Sequence, residues 1–490
     1  MREAGAGADI IDYVNAHGTG TTLNDVMESA ALRRALGDHI ARVPVSSSKA
    51  QIGHTLAAAG AIEAGIAALA VQKQAIVPTA GLEEPDPACP LVHVAHLGRP
   101  APVRAVLTNS FGFGGMDSAL VFAQPGLLPA RERPRRKVVV TGASALTPRK
   151  LYGTLDCGEV LAGDETHSAR SASRTIGMDL GAHLDLARAR RLDRSARMGA
   201  LVTERAYSEA GALDGVRPER VGIVLGSSFG SISASAAFMH RVFQKGPRFA
   251  SPAEFPNLVP SSPVGHVSIY LGVGGPVLAT ADLATSGESA WAQAIELVEG
   301  GEADVMAAGG YEEASDIVER RLAALFQRSP HKSRNGARAA YDPERVHDVS
   351  RARAEGAAAI VFEAEEHAQR RGARIVAEVA QLFTWRDHDR SPLERLLPPT
   401  ARAALVVVPR QDPRIDELLL PSPWREVPRR SCDHAGGEHD TLGAMALAAA
   451  TAELARGRIS DALVIGVAQG RGYALRLVVP AAARPAAGEA

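Results

Sequence analysis

The chain has 490 residues, of which 46% are apolar and 22% are charged, and its formal net charge is -1. A single hydrophobic core stops growing near ~250–300 residues, so this length predicts more than one compact domain or one large two-lobed domain. The near-zero charge gives no reason to expect nucleic acid or an anionic membrane as a partner. We find no run of ~18 apolar residues and no signal pattern, so we expect a cytoplasmic protein without a membrane span.

Short apolar runs alternate with Ala-rich segments of helical period, which indicates an α/β fold with buried, mostly parallel strands. Predicted strands begin at Ala105, Val138, Val221, Asp304, Ala358 and Ala404, and predicted helices begin at Leu56 and Ser195. A stretch rich in Pro and Arg, residues 124–136, lacks apolar periodicity and is interpreted as a linker.

An internal repeat organises the chain. The segment from RVPVSSSKAQIGH through an Ala-rich helix to RAVLTNSFGFGG has a weaker duplicate, from EVPRRSCDHAGG through a second such helix to DALVIGVAQGRG. The duplicate keeps the helix and the strand–turn–strand but loses the polar residues at the turns. Residues from Lys137 to about Ala380 have no counterpart before Asp9. We therefore expect two copies of the C-terminal half of a common unit, called late halves, and one copy of its N-terminal half, called the early half.

Two histidines lie where α/β folds place ligands. His17 follows the predicted strand IIDYV in the loop NAHGTGT. His54 follows a glycine in KAQIGH at the start of a helix, whose free N–H groups favour negative charge. Either histidine alone is more simply explained as a loop or capping residue. Together with Lys49 and the motif SFGFGG, they indicate a site.

Four motifs follow one another at suitable spacing: NAHGTGT, SSSKAQIGH with its Ala/Gly helix, PDPACPL and NSFGFGG. In this order they resemble the C-terminal half of the β-ketoacyl-acyl-carrier-protein synthases, a branch of the thiolase-like fold. The resemblance runs from about Asp12 to Phe122. It implies an α/β fold with thiolase-like αβαβα layers, present here as one partial and one near-complete copy.

The resemblance implies a decarboxylating Claisen condensation. In such enzymes a cysteine thiolate takes an acyl chain from phosphopantetheine, malonyl thioester loses CO2, and the resulting enolate attacks the acyl-cysteine. The implied partner is an acyl carrier protein, whose phosphopantetheine carries the substrate, and no tightly bound cofactor or metal is expected.

By the same resemblance, His17 and His54 donate hydrogen bonds to the enolate-like thioester oxygen. Lys49 orients His54 and biases the electrostatics of the site, with Glu63 as its partner. These four residues are the expected acid–base and oxyanion machinery.

The resemblance assigns the neighbouring loops to substrate contacts. Thr19 and Thr21 hydrogen-bond the pantetheine arm. Phe113 gates the acyl pocket and contributes its backbone N–H to the oxyanion hole, with Asn109 and Gly114 as supporting residues. The chain reads FGGMD where the family usually reads FGGTN, and we expect altered contacts behind the site there.

From Lys137 the chain resembles a second family member from its beginning, through KVVVTGASALTP and ADVMAAGG. The family has its cysteine ahead of the helix that precedes AGG, and counting back from AGG places Ala284 there. An alanine cannot form a thiolate, although the N-terminus of the helix would still lower the pKa of a thiol at that position. Ser286 and Ser289 are interpreted as N-terminal caps.

The remaining cysteines do not replace the missing thiol. Cys89, Cys157 and Cys432 are scattered, which suits neither a disulfide framework nor a metal site, and all three are interpreted as inert.

The second unit also lacks the expected histidines. VVVPRQDPRID stands in place of NAHGTGT, and His434 and His439 are interpreted as surface or turn residues. A unit without cysteine and histidines resembles the chain-length-factor partners of type II polyketide and aryl-polyene synthases. Such partners pair with an active synthase and shape the pocket that measures the growing chain, so we expect a pseudo-dimer or homo-oligomer.

We therefore predict a ketosynthase C-terminal half over 1–123, a linker over 124–136, an N-terminal half without its cysteine over 137–380, and a degenerate C-terminal half with a tail over 381–490. The preferred hypothesis is a synthase whose cysteine comes from an upstream segment or another polypeptide, fused to a unit that resembles a chain-length factor. The alternative is a non-catalytic scaffold or degenerate synthase partner. A metal-dependent hydrolase is disfavoured because no ligand spacing occurs.

A late half alone exposes a strand edge and a helix face that an early half would cover. We therefore expect residues 1–123 to be poorly stable, or to recruit the early half that begins at Lys137. Recruitment would displace the weaker copy at 404–480.

Overall fold

The computed structural model describes residues 1, 4–129, 135–161, 174–328, 353–386, 391–399, 403–433, 439–468 and 470–480. The chain divides into two compact units, Met1–Glu132 (unit 1) and Arg133–Ala490 (unit 2). This division falls within the predicted linker, of which residues 130–134 lie outside the described part. The finer division into halves stays a prediction.

Unit 1 is built around a five-stranded sheet in the order β4-β2-β1-β6-β7, in which only β7 runs antiparallel to its neighbour. The strands are β1 Tyr13–Asn15, β2 Pro44–Ser46, β3 Ala75–Ile76, β4 Val92–His93, β5 Arg99–Pro100, β6 Ala105–Gly112 and β7 Met116–Ala123. The helices are α1 Thr22–Leu36, α2 Lys49–Ile52 and α3 Ala59–Lys73. Strands β3 and β5 form a separate two-stranded ladder.

The core of unit 1 follows from the apolar pattern of its elements. Strand β6 buries the run Ala105–Asn109 in the middle of the sheet. Helix α1 buries Leu32 and Leu36, which lie one turn apart on one face. Helix α3 buries one narrow stripe at helical spacing, composed of Ala59, Glu63, Ala67 and Ala70.

Unit 2 contains the longer elements. Its strands are β8 Val138–Leu146, β9 Leu151–Tyr152, β10 Val221–Gly226, β11 Val277–Thr280, β12 Val305–Glu312, β13 Gly356–Ala364, β14 Ala377–Arg386, β15 Ala404–Val408, β16 Arg429–Ser431, β17 Asp461–Ala468 and β18 Arg471–Val478. Its helices are α4 Leu186–Ala189, α5 Arg194–Ala210, α6 Ile232–Lys245, α7 Ser262–Leu271, α8 Ser286–Glu299, α9 Asp316–Arg328, α10 Glu365–Arg370, α11 Ser391–Glu394, α12 Pro413–Leu419 and α13 Leu442–Ala455.

The main sheet of unit 2 consists of two sets of five strands with one topology. The first set has the order β11-β10-β12-β13-β8 and the second has the order β16-β15-β17-β18-β14. With β9 left aside, since it pairs only with β8, each order places the third, second, fourth, fifth and first strand of its half, counted along the chain, side by side. Strands β8 and β14 join the two sets through a short antiparallel ladder.

The expectation of mostly parallel strands is wrong for unit 2. The fifth strand of each half, β13 or β18, runs antiparallel to both of its neighbours. The strands are nevertheless deeply buried, because helices cover both faces of each half.

Helices α8 and α13 pack against each other, α8 on strands of the first half and α13 on strands of both halves. Helix α5 packs on the outer face of the first half, and α11 and α12 pack against strands of the second half. The layers therefore follow the order αβαβα. The predicted α/β class with this layered arrangement is confirmed.

Unit 1 repeats only part of this topology. Its order β2-β1-β6-β7 corresponds to β16-β15-β17-β18 in unit 2. Among the described residues of unit 1, no strand takes the position of β14, so β7 is an edge strand. In unit 2, by contrast, β18 pairs with β14 along its length. The early half of unit 2 is thus engaged by its own late half, so the recruitment alternative is not met. The other alternative, poor stability of residues 1–123, stays a prediction.

One helix is long and apolar enough to cross a membrane among the described residues, the 18-residue stretch Leu56–Lys73. One such helix is weak evidence, because a core helix passes the same test. Glu63 lies in its middle, fully buried and ion-paired with Lys49. This pair assigns the inner face of the helix to the interior of unit 1.

Candidate active site

The two predicted histidines of unit 1 lie side by side. His17 follows β1, and His54 follows α2 at the start of the turn that leads into α3. Their rings stand edge to face, with centroids 5.6 Å apart and planes inclined by 86°. The structure thus brings together two residues that are 37 positions apart, and both rings can reach one oxygen atom between them.

Both imidazoles are held in the neutral form. Burial lowers the pKa of His17 to about 4, with further lowering by the charge of Lys49. Burial and Lys49 also lower the pKa of His54, although this ring is exposed. The Nδ1 atom of His54 accepts the backbone N–H of Leu56 at 3.2 Å, which leaves Nε2–H as the donor.

Lys49 and Glu63 form the ion pair predicted from the sequence, with direct contact between Lys49 Nζ and Glu63 Oε1. Lys49 is 8% exposed and Glu63 is fully buried. Burial raises the pKa of Glu63, and the bond from Lys49 opposes this rise. The pair links the N-terminus of α2 to the buried stripe of α3 and sets a fixed positive charge near the two histidines.

Glu28 is a residue of this site that the sequence analysis missed. Its carboxylate accepts the backbone N–H groups of His17 and Gly18, each at 2.9 Å, and the side-chain amide of Asn109 at 3.2 Å. Glu28 therefore ties α1 to the histidine loop and to β6. A sequence signal existed, because Glu28 lies on the same helical stripe as Leu32 and Leu36.

The loop after His17 needs glycine at one position. Gly18 has φ +40°, and a Cβ atom there would lie 2.5 Å from the Cβ of Ser47. The Ser47 hydroxyl donates to the Gly18 carbonyl at 2.8 Å. Thr19 is half-buried and Thr21 is exposed, and their hydroxyls contact each other at 3.0 Å. Both hydroxyls can thus be reached by a substrate arm.

The motif NSFGFGG forms the end of β6 and the turn that leads into β7. Phe113 lies in this turn, is 42% exposed, and is followed by Gly114 with φ +87°. Met116 and Asp117, the departures from the family pattern, are paired in the β6–β7 ladder. Burial raises the pKa of Asp117, and a hydrogen bond from the backbone of Gly112 opposes the rise.

The position predicted to have lost its nucleophile lies in unit 2. Ala284 is in the 3-10 turn Leu283–Thr285, directly ahead of α8, and is 6% exposed. Leu283 has φ +46°, an unfavourable conformation for a residue with a branched side chain. The tight turn at the helix N-terminus is therefore present, but it holds a methyl group.

The capping role expected for the two serines of α8 is wrong. Ser286 is the first helical residue, and its hydroxyl donates to the Leu283 carbonyl at 2.7 Å and accepts the Asp282 N–H at 3.0 Å. Ser289 is 7% exposed and accepts from Gln293 at 3.3 Å. The first hydroxyl stabilises the preceding turn and the second lies in the core, because the helix begins two residues after Ala284.

Unit 2 has also lost the counterparts of the unit 1 side chains. The hairpins β6–β7 and β17–β18 have strands of equal length, and the ladders that β1 and β15 form with them place Pro409 at the position of His17. Counting on from the paired strands β2 and β16 places Asp433 at the position of Lys49. Together with Ala284, unit 2 therefore lacks the thiol, the first imidazole and the lysine at these three positions.

The interpretation of His439 as a surface or turn residue is wrong. His439 is fully buried, and its Nδ1 bonds the hydroxyl of Thr441 at 3.0 Å. Burial lowers its pKa to about 3. It lies three residues before α13. His434 lies outside the described residues.

The core of unit 2 beside the altered site contains carboxyl groups. Glu288 on α8 is fully buried, and neither of its oxygens finds a hydrogen-bond partner among the described residues. Burial raises its pKa to about 8. Its carboxyl occupies the space left by Gly443 and Gly466, where a Cβ atom would lie 2.0 Å from it. Nearby, Glu312 accepts the Ser228 N–H at 2.9 Å, and burial raises the pKa of Glu312 to about 8.

All three cysteines are buried and unpaired. Burial raises the pKa of Cys89, Cys157 and Cys432, which keeps each as a thiol. Among the described residues no group of three or more His, Cys, Asp or Glu side chains is arranged to hold a metal ion.

Family comparisons match both units to one family. Residues 1–83 match the description "Beta-ketoacyl synthase, C-terminal domain", and residues 179–368 match "Beta-ketoacyl synthase, N-terminal domain". The chain therefore contains regions that match both domains of the β-ketoacyl synthases. The C-terminal match precedes the N-terminal match, in agreement with the order of halves predicted from the motifs.

Curated relatives of this chain include the tetracenomycin polyketide synthase ketoacyl synthase alpha subunit of Streptomyces glaucescens, 49% identical over 117 residues. The 3-oxoacyl-[acyl-carrier-protein] synthase 2 of Coxiella burnetii is 42% identical over 124 residues. These alignments cover 24% and 25% of the chain, and 28% and 30% of the relatives. The chain thus spans less than a third of the length of these relatives.

Solved structures confirm the thiolase-like ketosynthase fold. One is a type II acyl-carrier protein in complex with its ketosynthase (AntDE:AntF), with TM-score 0.58 and 20% identity, covering 71% of this chain and all of that one. Another is the PfaC keto synthase-chain length factor, with TM-score 0.69 and 14% identity, covering 97% of this chain and 58% of that one.

Proposed function

We propose that unit 1 supplies the decarboxylating half of a β-ketoacyl-acyl-carrier-protein synthase site. The observation that carries this proposal is the pair of neutral imidazoles, His17 and His54, with ring centroids 5.6 Å apart beside the buried charge of Lys49. A neutral imidazole N–H can donate to an oxygen that becomes negative only as CO2 leaves.

In this reaction a cysteine thiolate first takes the acyl chain from the phosphopantetheine of an acyl carrier protein. The C–C bond to the malonyl carboxylate then breaks, CO2 leaves, and the electron pair passes into an enolate whose oxygen accepts hydrogen bonds from His17 and His54. The enolate carbon attacks the acyl carbonyl, and the thiolate leaves. Loss of one such donor typically costs about 3 kcal/mol in the transition state.

Neighbouring residues keep this arrangement in place. Lys49 disfavours protonation of both rings, and Glu63 balances its charge inside the unit. Glu28 fixes the backbone of the His17 loop. Thr19 and Thr21 bind the pantetheine arm, while Phe113 gates the acyl pocket and offers its N–H to the oxyanion, with Asn109 and Gly114 in support.

Unit 2 is proposed to act as an inert partner of the chain-length-factor type. The replaced positions support this role, since Ala284 and Pro409 provide neither a nucleophile nor an imidazole donor. The buried cysteines of the chain cannot substitute, because their thiolates are disfavoured. The chain by itself is therefore inactive in acyl transfer, and the cysteine comes from a ketosynthase half or subunit.

This assignment places the protein in the cytoplasm, in fatty-acid or type II polyketide or aryl-polyene biosynthesis, with the acyl carrier protein as substrate carrier. The test is CO2 release from malonyl-acyl carrier protein by the full chain co-expressed with a cysteine-bearing early half of a ketosynthase. His17→Asn should lower the rate about 10²-fold or more. The matched control His96→Asn, at an exposed histidine with φ +61°, should not. Equal rates for both variants would overturn the proposal.

A second measurement tests the inert role of the chain alone. After incubation with acyl-acyl carrier protein, its intact mass should stay unchanged. An acyl adduct on any of its cysteines would contradict this role.

A further inference from the structure

We propose that three residues of unit 2, Asp282, Arg471 and Tyr473, called the turn cluster, close the altered site ahead of α8. Because of this cluster, an acyl thioester does not reach position 284 even when a thiol stands there. The inference rests on the inert role proposed for unit 2, and it adds a barrier that is independent of the missing nucleophile.

Asp282 is the centre of the turn cluster. It directly precedes the 3-10 turn Leu283–Thr285, which contains Ala284. The Oδ2 atom of Asp282 accepts the hydroxyl of Tyr473 at 2.7 Å, and its Oδ1 atom lies 3.3 Å from Nη1 of Arg471. Both partners belong to β18, so one carboxylate joins this turn to a strand that follows almost 200 positions later, 191 in the case of Tyr473.

Tyr473 is also fixed from the side of α8. Its ring packs edge to face on Trp291, with centroids 5.9 Å apart and planes inclined by 76°. Trp291 is fully buried and Tyr473 is 7% exposed. Burial raises the pKa of Tyr473 to about 12, so its hydroxyl stays protonated and donates to Asp282. The phenol therefore connects the turn, α8 and β18.

The turn itself is held by further contacts. The hydroxyl of Thr285 donates to the carbonyl of Asp282 at 2.9 Å, and the hydroxyl of Ser286 donates to the carbonyl of Leu283 at 2.7 Å. Strand β17 and helix α13 pack against the turn. Ala284 is 6% exposed within this arrangement. Access to position 284 therefore requires the turn or one of its neighbours to move.

The turn cluster lies where this turn meets solvent. Exposure falls along the chain from Ala281, which is exposed, to Ala284, which is buried, with Asp282 half-buried between them. The side chain of Arg471 is 50% exposed. A reagent that approaches from solvent along the turn therefore meets the contacts of Asp282 before it meets position 284.

Tyr473 contributes more to the turn cluster than Arg471. The hydrogen bond from its buried phenol to a carboxylate is charge-assisted, whereas water screens the ion pair of the half-exposed arginine. Counted from the first residue of each eight-residue strand, the corresponding positions of β7 hold Met116 and Ser118. Of the two late halves, the turn cluster is thus particular to unit 2.

The test uses a thiol as the reporter. The full chain with Ala284→Cys is incubated with chloroacetyl-pantetheine, and the adduct that forms when the thiolate displaces chloride is followed by intact mass. The N-terminus of α8 lowers the pKa of a thiol at this position, so an accessible thiol reacts. We expect Ala284→Cys to react no faster than the parent chain, whose cysteines are buried. Adding Tyr473→Phe should raise the rate at least about tenfold, because it removes a hydrogen bond to a charged group.

Two further variants complete the comparison. Adding Tyr152→Phe to Ala284→Cys is the matched control, at a buried tyrosine of unit 2 outside the turn cluster, and should leave the rate unchanged. Adding Arg471→Ala changes an exposed side chain, which the fold tolerates, and should raise the rate by a smaller factor than Tyr473→Phe. Thermal unfolding at the temperature of the parent shows that a faster reaction is not caused by unfolding.

Rapid reaction of Ala284→Cys with the turn cluster intact would overturn the inference, and so would equal rates after Tyr473→Phe and Tyr152→Phe. An acyl adduct on the parent chain would overturn the inert role of unit 2 and the inference with it. The expected rates in a chain that releases no CO2 in the assay with an early half would overturn the function proposed for unit 1 and support the turn cluster.

Discussion

The Glu28 carboxylate accepts the backbone N–H of His17 at 2.9 Å, so a buried acid on α1 fixes the loop that presents the first imidazole. The second oxygen of the same carboxylate holds Gly18, at the φ of +40° that a side chain would not tolerate. The position of the His17 ring therefore depends on a residue 11 positions further along the chain.

Glu28→Gln should destabilise unit 1 by about 1–3 kcal/mol, because the amide group turns one buried acceptor into a donor that faces backbone N–H groups. The measurement is urea unfolding of the full chain, followed by a probe in unit 1. Glu83→Gln, at an exposed glutamate of the same unit, is the matched control. Equal stability of the two variants would show that the Glu28 contacts do not hold the loop.

Lys49 should set the protonation of both histidines. Its charge adds to burial in lowering the pKa of His17 to about 4. The double variant Lys49→Met/Glu63→Gln removes both charges, which avoids a buried ion without a partner. The pKa of each ring, followed by NMR through its Cε1–H, should rise toward the ordinary value of 6.5. In the assembled enzyme the acid limb of the rate profile should also move to higher pH. The reason is that the two rings then become protonated, and cease to be neutral, at a higher pH. Unchanged histidine titration would rule out this role of Lys49.

Glu288 should make the stability of unit 2 fall as the pH rises. Its pKa in the folded protein is about 8, above the value of 4.5 for a free side chain, so unfolding releases a proton between these two pH values. The contribution is fully present below pH 4.5 and is lost as the pH approaches 8, with a slope of about 1.4 kcal/mol per pH unit.

Glu288→Gln should remove this slope, and the variant should be more stable than the parent at pH 8. The measurement is thermal unfolding from pH 5 to pH 8. His439 has the opposite dependence, since its pKa of about 3 lies below the ordinary value of 6.5 and its contribution is lost as the pH falls. A parent and a Glu288→Gln variant with parallel stability curves would show that Glu288 is ionised in the folded protein.

The sequence allowed the α/β class and the individual strands to be predicted, because strands such as β6 and β12 are short apolar runs between Ala-rich helices. It also allowed the pairing of Lys49 with Glu63 to be inferred from the motifs. Residues whose environment depends on long-range contacts were harder to interpret. His439 lies in a polar stretch and was expected at the surface, yet strands and helices far away in sequence enclose it. Glu28 was missed because the motif that led to His17 ends before α1 begins.

Backbone hydrogen exchange should separate the two copies of the late half. Strand β7 is paired on one side, with β6, whereas its counterpart β18 is paired with both β17 and β14. Edge amides open more readily than amides inside a sheet. Peptides that cover β7 and α3 should therefore exchange faster than peptides that cover β18 and α13, as measured by mass spectrometry of the full chain. Addition of the cysteine-bearing early half should slow exchange in the peptides that cover β7 and α3. It should leave exchange unchanged in the peptides that cover β18 and α13. Equal protection of β7 and β18 in the chain alone would mean that the edge of β7 is already covered.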